Sequence, residues 1–213
     1  MNLSERDQKH NWHPYTQHKT STPEIAIKKG SGALLWDENN KEYIDAIASW
    51  WVNPYGHSNQ FIADEIYKQL TTLEHVLFGG FTHEPAVLLS EKLIEILPNN
   101  QQKIFFSDNG STAVEVAIKV AMQYFYNKKE KRTTIIAFEN AFHGDTFGAM
   151  AASGISFFTE AFKGSLIQVV RIPVPTIGNE KASLDALQKV IKEYDCAAYF
   201  RTISSRSCRN GHI

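Results

Sequence analysis

Lys103-Ile104-Phe105-Phe106-Ser107-Asp108-Asn109-Gly110-Ser111-Thr112 is an apolar run, a polar turn and the start of a helix, in that order. Lys103–Phe106 reads as a strand, and Asp108-Asn109-Gly110 turns the chain. From Ser111 to about Tyr126, Ala113, Val114, Ala117, Ala121, Tyr124 and Phe125 recur with helical spacing. Thr134–Phe138 follows, rich in β-branched residues, and reads as a buried strand. Ile167–Ile172 repeats that signal, Leu184–Tyr194 is helical, and Ala197–Phe200 opens a further strand. Strands alternating with helices predict an α/β domain built on a mostly parallel sheet covered on both faces. In such sheets ligands sit at the carboxyl ends of the strands.

Towards the N-terminus the pattern changes. Between Glu24 and Ala46, short strand-like pieces alternate with Gly30-Ser31-Gly32 and Asp37-Glu38-Asn39-Asn40, which predicts a small β-meander. Phe61, Ile62, Ile66, Leu70 and Leu73 then share a helical face behind a cap at Ser58 or Asn59, and Pro85–Leu97 reads as another helix.

With 213 residues, 43% of them hydrophobic, the chain can bury a sizeable core. Its 22 basic and 23 acidic residues nearly cancel, so nothing points to nucleic acid. No apolar run approaches the roughly 20 residues of a membrane span, and Met1–His10 is too polar for a secretory signal. Cys196 and Cys208 are too few for a disulfide framework or a four-ligand zinc site. A cytoplasmic enzyme without a metal fits this composition.

Four segments could carry chemistry. Ser107–Thr112 joins strand to helix, where free amides and the helix dipole suit an anion, although the same residue types make ordinary helix caps. It is neither a Walker A loop nor a G-x-G-x-x-G turn. Asn140-Ala141-Phe142-His143-Gly144-Asp145-Thr146 puts an aromatic ring, an imidazole and a carboxylate after the second strand. Ser49-Trp50-Trp51 closes the meander, where core packing is the default for adjacent tryptophans. Trp12-His13-Pro14-Tyr15 is an aromatic segment at a terminus, where chains are ordered only if docked. Ser111, His143 and Asp145 are also the residue types of a hydrolase triad, but Asn-Gly-Ser-Thr-Ala is not a G-x-S-x-G nucleophile turn.

Taken in order, Trp12–Thr16, Ser49-Trp50-Trp51, Phe78-Gly79-Gly80-Phe81-Thr82-His83, Ser107–Glu115 and Phe142–Met150 resemble the class III aminotransferases of fold type I. The likeness runs from about Asn11 to Tyr199, and Trp12-His13-Pro14-Tyr15 with the tryptophan pair draws it towards the biotin-pathway branch. The resemblance implies pyridoxal 5'-phosphate, with its phosphate on the backbone of Gly110 and Ser111 and its ring against Phe142 and His143. It implies 8-amino-7-oxononanoate as substrate, lined by Trp50, Tyr15 and Phe142, and 7,8-diaminononanoate as product. S-adenosylmethionine would be the amino donor. Branch members that use it often carry Tyr where this chain has Phe142, and the missing hydroxyl brings in lysine as an alternative donor. A homodimer is expected, with Gly79-Gly80 in a loop near the subunit interface.

The same likeness divides the chain. Residues 1–60 would be the N-terminal part of the small domain, and residues 61–200 the start of the large cofactor domain, whose sheet is incomplete. The Schiff-base lysine and the aspartate for the pyridine nitrogen are expected beyond Ile213. Neither Lys119 nor Lys163 takes that role merely by being a lysine. A catalytically silent fragment that binds cofactor or caps a partner is the non-enzymatic alternative.

Residues 201–213 read as an out-of-frame tail. Arg201, Arg206 and Arg209 occur there with no acid, and without them 19 basic residues face 23 acidic ones. Codons can be chosen for this tail whose neighbouring frame reads Glu-Pro-Leu-Val-Gln-Gly, close to the continuation that the family leads one to expect.

Overall fold

The structure, a computed structural model, describes residues 1–154 and 157–200. It separates into two compact units, Met1–Lys92 and the chain from Leu93 onward. The tail read as out of frame lies outside the described residues.

The first unit opens with helix α1 (Leu3–His10), whose N-cap Asn2 accepts from the Glu5 amide while Glu5 reaches back to the Asn2 amide. The predicted meander follows as β1 (Ile27–Ser31), β2 (Leu34–Asp37) and β3 (Glu42–Ile44), paired antiparallel in that order. Its second turn is set by Asp37, whose carboxylate accepts from the amides of Asn39 and Lys41, both at 2.9 Å, and from Tyr43 Oη at 3.0 Å. A short turn, α2 (Ala48–Trp51), leads to α3 (Gln60–Thr72), capped by Asn59, and α4 (Glu84–Ile96) runs across the division between the units.

The second unit contains α5 (Gly110–Asn127), β4 (Thr134–Phe138), α6 (Phe147–Ala152), α7 (Phe157–Glu160), β5 (Val169–Ile172), α8 (Glu180–Glu193) and β6 (Cys196–Phe200). The strands pair in parallel in the order β5-β4-β6, and every residue of β4 is buried. A central parallel strand is covered on both faces, so an unbroken apolar run is what it needs. Ile136 and Phe138 pack with Ile172, Val190 and Leu187, which brings α8 onto the sheet. Ile135 and Ala137 point the other way by the alternation of the strand, and α6 lies against β4 with Ala149, Ala151 and Ala152 buried. No helix among the described residues is long and apolar enough to cross a membrane.

Two expectations need correction. Lys103–Phe106 forms no strand: β5 and β6 occupy both sides of β4, and the segment joins neither outer edge, leaving Phe105 72% exposed. The inner face of α5 is also rotated from the one read off its apolar residues. Ala113, Ala117 and Tyr124 are exposed, whereas Val114, Glu115, Ile118, Ala121 and Phe125 turn inward. Glu115 is a charged residue on that inner face, where its carboxylate accepts from the Gly148 and Ala149 amides.

Candidate functional site

The start of α5 is a cap with two donors to spare. Asn109 Oδ1 accepts from the Thr112 amide at 2.9 Å, and Thr112 Oγ1 accepts from the Asn109 amide at 3.1 Å. Ser107 Oγ meets Thr112 Oγ1 at 2.5 Å and steadies that hydroxyl. This capping box serves the third helical amide and leaves the first two. The amides of Gly110 and Ser111 find no acceptor among the described residues, and the space where Gly110 would carry a Cβ is empty. Free amides at the positive end of an 18-residue helix suit an anion.

The loop after β4 is folded back onto this turn. Gly154 donates its amide to the Ala141 carbonyl at 2.7 Å, and the His143 amide donates to Ser153 Oγ at 2.9 Å. Gly144 has φ +128°, a region that a side chain avoids. The Asp145 amide donates to Ser111 Oγ at 3.1 Å, and Thr146 Oγ1 donates to the Ser111 carbonyl at 3.5 Å.

Helix α6 anchors the far end of the loop and is held at both ends. Glu115 Oε1 accepts from the amides of Gly148 at 2.5 Å and Ala149 at 3.3 Å, so a carboxylate faces the helix N-terminus. Arg171 donates to the carbonyls of Ala151 at 2.6 Å and Ser153 at 2.7 Å, so a guanidinium faces the C-terminus. Both charges complement the helix dipole. Sequence reading missed Glu115, Ser153 and Arg171 because each acts on backbone brought in from another element.

Gly110, Ser111, Phe142 and His143 line one open depression together with Asn109, Gly144, Asp145 and Thr146. Phe142 is 59% exposed there, with a ring face free to receive a flat partner. Burial lowers the His143 pKa below its ordinary value, which disfavours the charged imidazole. Ser111 Oγ accepts from the Asp145 backbone amide. In this loop it acts as a tether.

Tyr15 and Trp50 meet within the first unit, with ring centroids 5.6 Å apart and planes at 54°. Trp50 and Trp51 are 63% and 73% exposed, which overturns the core-packing default. They are carried by a left-handed turn: Ala48, Ser49, Trp50 and Trp51 have φ of +49°, +46°, +63° and +73°. For residues with a Cβ this costs about 1–2 kcal/mol each, so neighbouring groups must hold the turn. Asp45 does so. Its carboxylate accepts from the Ser49 amide at 2.9 Å, from Ser49 Oγ at 2.7 Å and from His57 Nε2 at 2.7 Å. Those bonds hold the Asp45 pKa at about 2, Ser49 contributing most and His57 next. Asp45-x-x-x-Ser49 was the one available signal, and it resembles many chance spacings.

The terminal aromatic segment is held by local bonds, with Trp12 and Tyr15 exposed. His13 Nε2 pairs with Asp7 Oδ2 at 2.7 Å, and Thr16 Oγ1 donates to the His13 carbonyl at 2.7 Å. Gly79 and Gly80 lie in a turn where Gly80 has φ +103°.

Comparison with known proteins identifies the family. The family "Aminotransferase class-III" matches residues 15–204. An adenosylmethionine-8-amino-7-oxononanoate aminotransferase of Synechococcus elongatus is 43% identical over 197 residues, covering 89% of this chain and 46% of that protein. The enzyme of the same name from Staphylococcus aureus is 40% identical over 180 residues, covering 82% and 40%. Among solved structures, the enzyme of that name from Methanocaldococcus jannaschii superposes with a TM-score of 0.84 at 34% identity, covering 91% of this chain and 45% of that one. An omega transaminase of Pseudomonas jessenii in complex with PMP gives 0.83 at 27% identity, covering 93% and 48%. The chain thus spans a little under half the length of these relatives. It belongs to the class III aminotransferases, enzymes that depend on pyridoxal phosphate.

Proposed function

We propose that this chain is the cofactor-cradling part of an aminotransferase that converts 8-amino-7-oxononanoate to 7,8-diaminononanoate in biotin synthesis. The names of its relatives and the Trp50-Trp51 pair support that substrate. Pyridoxal phosphate, when bound, supplies the electron-withdrawing ring through which an amino group passes between two substrates.

The chain's own residues bind and orient. The amides of Gly110 and Ser111 donate to the phosphate, and the exposed ring of Phe142 stacks on the pyridine. His143 borders the same depression, where burial disfavours a positive charge on its ring. Trp50 and Tyr15 form an apolar wall for the alkyl chain of the keto acid. S-adenosylmethionine is the donor that the relatives' names carry, and Phe142, lacking a hydroxyl, keeps lysine as the alternative. In this reading the enzyme is a homodimer, and the covalent lysine belongs to the remaining part of the fold.

One observation carries the proposal: two unpartnered amides and an exposed aromatic face share one depression. Gly110→Pro tests it. Proline suits the first position of a helix, Asn109 is already extended with φ −161° and ψ 176°, and there is room for the ring, so only the N–H is removed. Equilibrium dialysis should show pyridoxal phosphate binding more tightly than pyridoxal, with the variant about tenfold weaker for the phosphate form alone. Equal affinity for both forms would sink the cradle.

A further inference from the structure

The Trp50 wall stands on a backbone that tryptophan does not choose. Four successive left-handed residues carry it, and side-chain bonds reach the turn at Ser49, whose amide and hydroxyl donate to Asp45 and whose hydroxyl also lies 3.5 Å from His57 Nε2. The Asp45 oxygen that accepts from Ser49 Oγ, Oδ2, also accepts from His57 Nε2 and is fixed through it to the meander. Its partner His57 exchanges two backbone bonds with Gly32, at 3.0 and 2.8 Å, so its ring sits on the β1–β2 turn. A Cβ at Gly30 would lie 2.8 Å from the His57 Cβ, which leaves that ring little freedom to move towards the strand. The Asp45 and His57 side chains are only 6% and 16% exposed, whereas the indole they support is open. A buried, rigid bracket thus ends in an exposed ring.

We infer that Asp45 is a positioning residue for the substrate wall: clamped between His57 and Ser49, it holds Ala48–Trp51 left-handed and so sets where Trp50 presents its face beside Tyr15. This rests on the reading of Trp50 as part of the wall. Asp45 touches no substrate in this scheme. It acts by keeping the indole pre-oriented, so that an alkyl chain does not have to order the ring on binding.

The chain has four tryptophans, Trp12, Trp36, Trp50 and Trp51, so fluorine NMR of fluorotryptophan-labelled full chain, assigned by single Trp→Phe replacements, reads the turn directly. Asp45→Asn keeps one oxygen for the Ser49 amide, but the NH2 on its other arm accepts from neither Ser49 Oγ nor His57. Asp45→Ala removes everything. Ser49→Ala removes the hydroxyl bond alone and guards against a variant of Asp45 that fails to fold. The expected result is that the Trp50 and Trp51 resonances shift and broaden in all three, most in Asp45→Ala, while Trp12 and Trp36 stay in place. If Trp50 and Trp51 do not move, or if all four move together in every variant, the positioning role is overturned. A separate titration of the wild-type chain with 8-amino-7-oxononanoate judges the wall itself: an unresponsive Trp50 removes the substrate reading and leaves the bracket standing.

Discussion

Ser111 and Gly144 occupy adjoining space so closely that a Cβ on Gly144 would lie 2.8 Å from the Ser111 Cα and collide with its hydroxyl. The two residues are 33 positions apart, yet each fixes what the other can be. Ser111 has to remain small to accept the Asp145 amide, and Gly144 has to lack a side chain to let the loop reach it.

Gly144→Ala should therefore damage the depression from its floor. The left-handed φ and the collision act together, and the loss should be about 2 kcal/mol or more. Thermal melting would show the destabilisation, and pyridoxal phosphate binding should fall with it. A variant that melts and binds like the wild type would mean that the loop does not seat on Ser111.

Glu115→Gln tests the support of α6. The glutamine keeps an acceptor for the Gly148 amide but removes the charge facing the helix N-terminus, so a loss of about 1 kcal/mol is expected. Glu115→Ala should cost about 2 kcal/mol, because two amides then lose their acceptor. Urea unfolding at neutral pH measures both, and an Ala variant as stable as the Gln variant contradicts the account.

What could be read from sequence follows from how local each signal is. Thr134–Phe138 was legible because a β-branched apolar run is what a buried central strand requires, and Asn109 because capping is written into adjacent residues. Lys103–Phe106 is nearly as apolar but pairs with no strand among the described residues, and pairing is a property of distant chain. The role of Glu115 was not legible because its partners, Gly148 and Ala149, arrive more than thirty positions later. The left-handed turn was invisible for a similar reason. Ala48 and Ser49 tolerate an ordinary helix, and only the three-dimensional placing of Asp45 and His57 makes the opposite hand the better choice.

Acid should expose the Asp45 bracket. Its pKa is held at about 2, below the ordinary 3.8, so the stability it confers is fully present above the ordinary value and disappears as pH falls towards 2. The urea midpoint of the wild-type chain should drop across that window. Asp45→Asn should start lower and lose less over the same range. Parallel pH curves for the two proteins would show that the carboxylate does not couple to folding.

Helix α3 should make the isolated chain self-associate. Phe61, Ile62, Ile66 and Leu70, read from the sequence as one apolar face, are all exposed, and α3 has no buried residue. A continuous apolar stripe in water favours association, and the outer edges of β5 and β6, unpaired among the described residues, add strand surface to it. Ile66→Lys with Leu70→Glu places a charge pair four residues apart on that stripe. Being exposed, these changes should alter the melting temperature little, within about 0.5 kcal/mol of stability. Sedimentation should nevertheless show a smaller particle, and binding of a hydrophobic dye should fall. A wild-type chain that sediments as a monomer and leaves the dye dark would mean that the stripe is covered in solution.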